Sequence, residues 1–287
     1  MTSRRSFLGR VAGGLAASSA LRGIVEAATP GKPPLGLQLW SVRQQAAKDL
    51  PATLKQVKAW GFEEVEGTDD FHGRTAEAFA AELRNAGLRC RAMHVGFELL
   101  EKQMPTVLKN ADALGVTTIV NPYLPHQQKP LASREDILKA ASAFAGFAKQ
   151  CQAAGKRFAY HTHGQEFGQA PEGTLFDVLA GESGPDVGFE FDVYWIVFGG
   201  GDPLALMDRY AGRVWFTHLK DMAKGVQPGT AAARREDANA VLGAGQIDIK
   251  AIVEAGRKAG VEVHYIEDES ADPVAHIPQS VAYYQSL

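Results

Sequence analysis

The sequence predicts an α/β chain closed into a single (β/α)8 barrel, and three observations predict it. At 287 residues the chain is long enough for one large domain, and such a barrel typically takes about 250. Eight short β-rich apolar runs recur along it, separated by amphipathic helical stretches. Most helical stretches end on a small or apolar residue followed by glycine: Trp60-Gly61, Ala86-Gly87, Leu114-Gly115, Ala154-Gly155, Ala211-Gly212 and Ala259-Gly260. Glycine readily takes the left-handed conformation that closes a helix, so each pair marks a helix-to-strand joint.

In order, the runs are "LGLQLWSV" (35–42), "FEEVEGT" (62–68), "LRCRAMHV" (88–95), "VTTIVNPYL" (116–124), "RFAYHTH" (157–163), "VGFEFDVYW" (187–195), "RVWFTHLKD" (213–221) and "VEVHYIEDE" (261–269). Strand alternating with helix at about 25 to 30 residues per unit is the pattern of a parallel sheet, and eight units suggest closure. An open doubly wound sheet is the alternative, but no glycine-rich phosphate fingerprint follows the first run. One connection is long and irregular, "MAKGVQPGTAAARREDANAVLGAGQ" (222–246), and a loop of that length is often functional.

Ahead of the barrel (35–287), residues 1–28 read as a twin-arginine (Tat) export signal. Arg4 and Arg5 precede a Phe-Leu pair, an Ala/Gly run too short to span a bilayer, and a small-residue end. The expected destination is the periplasm, with no membrane attachment after cleavage. The whole chain carries a formal −3; losing four arginines and one glutamate with the signal leaves about −6. That acidity argues against nucleic acid as a partner. Cys90 and Cys151 show no metal-binding spacing and read as packed residues, with pairing left open.

Strand interiors of such a barrel pack apolar layers, and the strands' C-terminal ends open into the site. The fifth run ends at His161, His163 and Glu166, the sixth at Asp192, the seventh at His218, Lys220 and Asp221, and the eighth at Glu267, Asp268 and Glu269. Asp192 lies 26 residues after Glu166, and His218 lies 26 after Asp192, one β/α unit each time. Equal steps predict similar heights on neighbouring strands. Three carboxylates and an imidazole at one rim suit one divalent ion such as Mn²⁺, Mg²⁺, Co²⁺ or Zn²⁺. Asp192 follows the apolar "VGFEF", where an unpartnered carboxylate is costly. His161 and His163 share one side of an extended chain, so either could compete with Glu166 or line the substrate path.

These pieces resemble the sugar phosphate isomerase/epimerase family of xylose-isomerase-like TIM barrels, in particular its exported members. "LGLQLWSVR", "GFEEVEG", "FAYHTHGQEF", "FDVYWI", "THLKDM", "GAGQIDIKAI" and "IEDE" carry the resemblance across residues 35–287. It implies a divalent ion on Glu166, Asp192, His218 and Glu267, with His163 the competitor for the fifth-strand place. It also implies that Glu166 and Glu267 exchange a proton with a carbohydrate substrate, while Asp192 and His218 only hold the ion.

The chemistry expected is proton removal beside the carbonyl of a ketose or keto-sugar, through an enediolate stabilised by the ion. Lys220 and His94 are expected to orient substrate, Glu66 to bind a hydroxyl, and Trp40 or Trp195 to stack on a sugar face. Arg234 and Arg235 on the long loop read as a solvated charge run or as a cover for an anionic substrate. Two alternatives stand beside the isomerase: a 3-keto-glycoside lyase or dehydratase on the same scaffold, and a non-catalytic periplasmic sugar-binding protein. Relatives of the group often form homodimers, though no motif here signals one.

Overall fold

The computed structural model describes residues 31–125, 133–171 and 173–287; the expected export signal lies outside them. Eight strands form the barrel: β1 (Leu35–Gln38), β2 (Glu64–Thr68), β3 (Arg89–His94), β4 (Thr118–Asn121), β5 (Arg157–His161), β6 (Val187–Asp192), β7 (Val214–Leu219) and β8 (Val263–Ile266). All pair in parallel in chain order, and β8 pairs with β1, which closes the cylinder and removes the open-sheet alternative.

Each strand falls within a run read from the sequence, trimmed at its ends. The glycine joints behave as their chemistry requires: Gly87 and Gly260 sit at φ 70° and 89°, capping helices Ala76–Ala86 and Ile249–Ala259. Helix Arg134–Ala153, which packs outside β5, starts with a capping box in which Ser133 and Asp136 satisfy each other's backbone N–H. Among the described residues no helix is long and apolar enough to cross a membrane.

Two apolar layers hold the barrel. The larger lies between strands and helices. The smaller lies inside, where Ala92, Val120, Ala159, Phe216, Val263 and Tyr265 meet with Trp215 beside them. The large rings fit because β1 and β6 offer glycine: a Cβ on Gly36 would strike the Tyr265 ring, and one on Gly188 would strike Trp215. Fully burying a side chain such as Phe216 or Val263 stabilises the fold by about 1.5–3 kcal/mol.

Below this layer, at the N-terminal end, Arg91 forks onto Glu64 (2.8 and 3.3 Å), and Arg157 forks onto Glu262 (2.6 and 3.0 Å). Arg157 also lies over Trp215, 4.4 Å from the ring centre. The two cysteines are buried and unpaired, and burial pushes both thiols up to about 12.

Candidate metal centre

Two irregularities in the barrel wall aim its polar residues. Val65 stands opposite Cys90, but Glu66 stands opposite Ala92, so Arg91 is an extra residue on β3. Likewise Phe189 faces Val214 and Glu190 faces Phe216, leaving Trp215 extra on β7. A bulge turns consecutive side chains to one face. Here each bulge turns a floor residue inward, Arg91 or Trp215, and the pairing resumes at a carboxylate, Glu66 or Glu190.

Above the apolar layer the inward residues form a connected cluster. Glu190 Oε2 lies 2.8 Å from His94 Nε2, 2.9 Å from His161 Nδ1 and 3.3 Å from His218 Nε2. Glu66 Oε2 accepts from Gln38 (2.7 Å) and lies 2.7 Å from His218 Nε2 and 3.3 Å from His94 Nε2. The other nitrogen of His218 looks up the barrel: Nδ1 is 3.3 Å from Glu267 Oε2 and 4.0 Å from Asp192 Oδ2. Lys220 bonds Glu267 at 3.4 Å and pairs closely with Glu269.

Burial sets the electrostatics. It raises the carboxyls of Glu66 and Asp192 to about 7, with Glu190 adding to the first and Glu267 to the second. Burial acts in the same sense on Glu190 and Glu267, but nearby cations overcome it: His218 and its fellow histidines hold Glu190 well below the usual range, and Lys220 with His218 does so for Glu267. His161 is lowered to about 3, first by burial and then by His218. His218 itself is raised well above its ordinary value, because Glu190, Glu267 and Glu66 outweigh its burial.

Over the cluster opens a cavity of about 230 Å³. His94, His161, His163 and Glu267 face it from inside, with Trp40, Tyr123, Trp195, Asp69, Asp70 and Glu269 around the mouth.

Of the four expected ligands, the structure brings three together. Atoms of Asp192, His218 and Glu267 lie within 4.8 Å of one another, and so do those of His94, His161, Glu190 and His218. Glu166 joins neither group. Its Oε1 takes hydrogen bonds from the His163 N–H (2.8 Å) and the Tyr160 hydroxyl (3.2 Å), and Tyr160 stacks on Phe144 of the outer helix layer.

Register explains the difference. β6 pairs with β7 at a step of 26 near the rim, Asp192 opposite His218, whereas β5 pairs with β6 at a step of 29, His161 opposite Glu190. Continuing that offset places His163, not Glu166, level with Asp192. His163 faces the cavity and its Nδ1 has no partner. Glu66 lies deeper than a rim hydroxyl-binder would, fully buried against His218. Glu190 escaped the sequence reading; its signal was a carboxylate inside "VGFEF", two residues before Asp192 and so on the same face.

The two groups differ in fitness for a cation. In the His94–His161–Glu190–His218 group, Glu190 Oε2 already collects three imidazoles, though its Oε1 has no partner, and a single carboxylate serves the whole group. In the other, Asp192 Oδ2 is buried without a partner, and the donors are two carboxylates and one imidazole nitrogen. Nε2 of that imidazole abuts Glu66, the arrangement that orients a metal-ligating histidine. These residues fit a divalent cation of the oxygen- and nitrogen-preferring kind.

Residues 54–287 match the family described as xylose isomerase-like TIM barrel. The chain belongs to that family. None of the curated proteins matches it. Among solved structures, this xylose isomerase-like barrel is similar to a sugar phosphate isomerase/epimerase from Parabacteroides distasonis ATCC 8503, at 24% identity and TM-score 0.70 over 92% of this chain and 99% of that one. It is similar also to the IOLI protein with a binding zinc atom, at 15% identity and TM-score 0.67 over 88% and 95%. A third is the 3-keto-D-glucoside 4-epimerase YcjR from E. coli, at 16% identity and TM-score 0.64 over 89% and 100%.

Proposed function

We propose that this barrel is a divalent-metal-dependent isomerase or epimerase that moves a proton beside the carbonyl of a ketose or keto-sugar. One observation carries the reading: Asp192, Glu267 and Nδ1 of His218 converge under an open cavity, while Nε2 of the same imidazole is held by Glu66. A divalent ion held there would supply fixed positive charge where the substrate oxygen becomes anionic. The kinship in fold with a zinc-binding protein and with two epimerases by name supports the class.

The chain's own residues do the rest. Asp192, His218 and Glu267 hold the ion; His163 stands outside both groups of convergent atoms, but its unpartnered Nδ1 and its place on the cavity wall make it the candidate for a further donor from the β5 side. Glu267 also faces the cavity and takes the proton. His94 faces it from β3, three staves round the barrel, with Glu190 and Glu66 on its Nε2 favouring the protonated ring against burial. It returns the proton on the other side. Lys220, expected from the sequence to touch substrate, lies outside that cavity; paired with Glu267 and Glu269, it holds those two carboxylates in place. Glu166, behind the wall, braces the turn that carries His163.

The test strips the protein with EDTA, reloads it with Mn²⁺, Mg²⁺, Co²⁺ or Zn²⁺, and incubates it with ketoses and 3-keto-glucosides in D₂O. The expected outcome is one ion per chain and deuterium at the carbon beside the carbonyl, both abolished by EDTA. Glu267→Gln should lose the exchange. Release of an aglycone would move the assignment to elimination at the same site, and sugar binding without ion-dependent exchange would leave only a binding protein.

A further inference from the structure

We infer that the cavity above this centre takes an uncharged saccharide and discriminates against its phosphate esters, with Trp40 and Tyr123 as the surfaces on which the sugar packs. The inference rests on the proposed sugar chemistry and narrows its substrate class.

Three observations meet at the cavity mouth. Among the described residues, the two most exposed large apolar side chains are Trp40 (44%) and Tyr123 (43%), and both line this one cavity. Arg43 covers part of Trp40, yet both residues leave more than two-fifths of their surface in solvent, and the apolar face of a pyranose or furanose covers such a ring. Tyr123 continues a row of rings into the site, 5.0 Å from His163, which is in turn 5.8 Å from Trp195.

Among the described residues the charged groups around the mouth are carboxylates, Asp69, Asp70 and Glu269, with Glu267 and the His94 imidazole beneath them. No arginine or lysine among the described residues lines it. Lys220, the nearest buried cation, is already shared by Glu267 and Glu269. The Tyr123 hydroxyl senses this field, raised by burial and then by Glu267 and Glu269.

The acidic pair is held there by a strained turn. Phe71 and His72, directly after Asp70, have φ of 46° and 52°, in the left-handed region that side chains other than glycine's seldom adopt. Asp69 Oδ2 accepts from the Gly96 N–H at 2.9 Å, and Asp70 accepts from Thr68 and His72.

A neighbouring cavity, sharing Trp195 and Glu269 with the first, does contain arginines. They are occupied: Arg43 lies over Trp40 and donates to its carbonyl, Arg235 pairs with Asp237, and Arg234 lies over Phe198 and Trp195. Glu269 and Trp195 belong to the lining of both cavities, and the arginines line only the second.

Calorimetric titration of the Mg²⁺-loaded full chain with fructose and fructose 6-phosphate, and with glucose and glucose 6-phosphate, tests this directly. The free sugar of a pair should bind at least tenfold more tightly than its ester at low salt, with the gap narrowing as salt rises. Trp40→Ala and Tyr123→Ala should each weaken the free sugar about tenfold with unchanged melting, and the Asp69→Asn/Asp70→Asn double variant should improve the ester several-fold. Equal or tighter binding of an ester overturns the inference; if Arg234→Ala then removes that preference, the adjoining cavity is an anion subsite. In that event deuterium exchange in the preceding assay still upholds the sugar chemistry, whereas failure of every sugar to bind defeats both.

Discussion

The two ends of the barrel bury charge in opposite ways, though the same strands build both. β2 gives Glu64 to the floor and Glu66 to the mouth; β3 gives Arg91 and His94; β5 gives Arg157 and His161. At the floor two cations meet two carboxylates, Arg91 and Arg157 with Glu64 and Glu262, in bidentate pairs. At the mouth Glu66, Glu190, Asp192, Glu267 and Glu269 face one lysine and a group of histidines. There Glu66 Oε1, Glu190 Oε1 and Asp192 Oδ2 are buried with no partner. A buried unpaired carboxylate oxygen costs about 1–3 kcal/mol. Three of them lie together at the mouth, whereas at the floor each carboxylate meets an arginine on both oxygens.

The sharpest way to break this comparison is to remove the imidazole that joins both halves of the mouth. His218→Ala takes one donor from the Asp192–Glu267 pair and one partner from Glu66 and Glu190. It should lower ion-dependent turnover about 10³-fold, roughly 4 kcal/mol of transition-state stabilisation. Calorimetry with Mn²⁺ should show affinity down by about 100-fold or more. Turnover that persists with wild-type metal affinity would mean that the mouth, like the floor, is only structural.

The converse change belongs at the floor. Arg91→Ala leaves Glu64 buried with only the distant Arg89 (4.0 Å) and a long contact to Tyr265 (3.5 Å). Urea unfolding should show a loss of about 3 kcal/mol, the low end for breaking a buried pair because Arg91 is itself partly exposed. Metal affinity and turnover per folded molecule should be unchanged. If turnover falls with stability, the two ends are coupled through β3 and cannot be read separately.

The sequence made the architecture legible because it is written in local chemistry: apolar runs, helix periods and closing glycines repeat once per unit, and all eight strands fall where those signals place them. The site was legible wherever a residue sits in phase with its strand. Asp192, His218 and Glu267 follow apolar alternation directly, and they meet. What could not be read was the register between strands. The bulges at Arg91 and Trp215 turn two successive side chains inward, which no period-two pattern anticipates, and the 29-residue step from β5 to β6 hides behind the 26-residue step that follows it. Glu190 is hidden by its apolar neighbours. Tyr123 shows only through its exposure, a property of the assembled surface.

Glu166 offers the smallest effect and the finest discrimination, since it is a buried carboxylate close to the mouth yet outside it. Burial raises it to about 7, against hydrogen bonds from backbone and Tyr160 that favour ionisation. With the folded value above the unfolded value of 4.5, its contribution to stability is fully present below pH 4.5 and is lost as pH rises through 7. Glutamine keeps an acceptor for His163 and Tyr160 and does not ionise, so Glu166→Gln should match the wild type near pH 4.5 and gain on it as pH rises. In urea titrations with EDTA present, the difference should grow by about 2 kcal/mol between pH 4.5 and 8, a discounted value for a shift of this size. Added Mn²⁺ should leave that difference unchanged, because the proposed ion site is Asp192, His218 and Glu267. If Mn²⁺ instead abolishes it by stabilising the wild type alone, Glu166 turns inward on loading and belongs with the ligands after all.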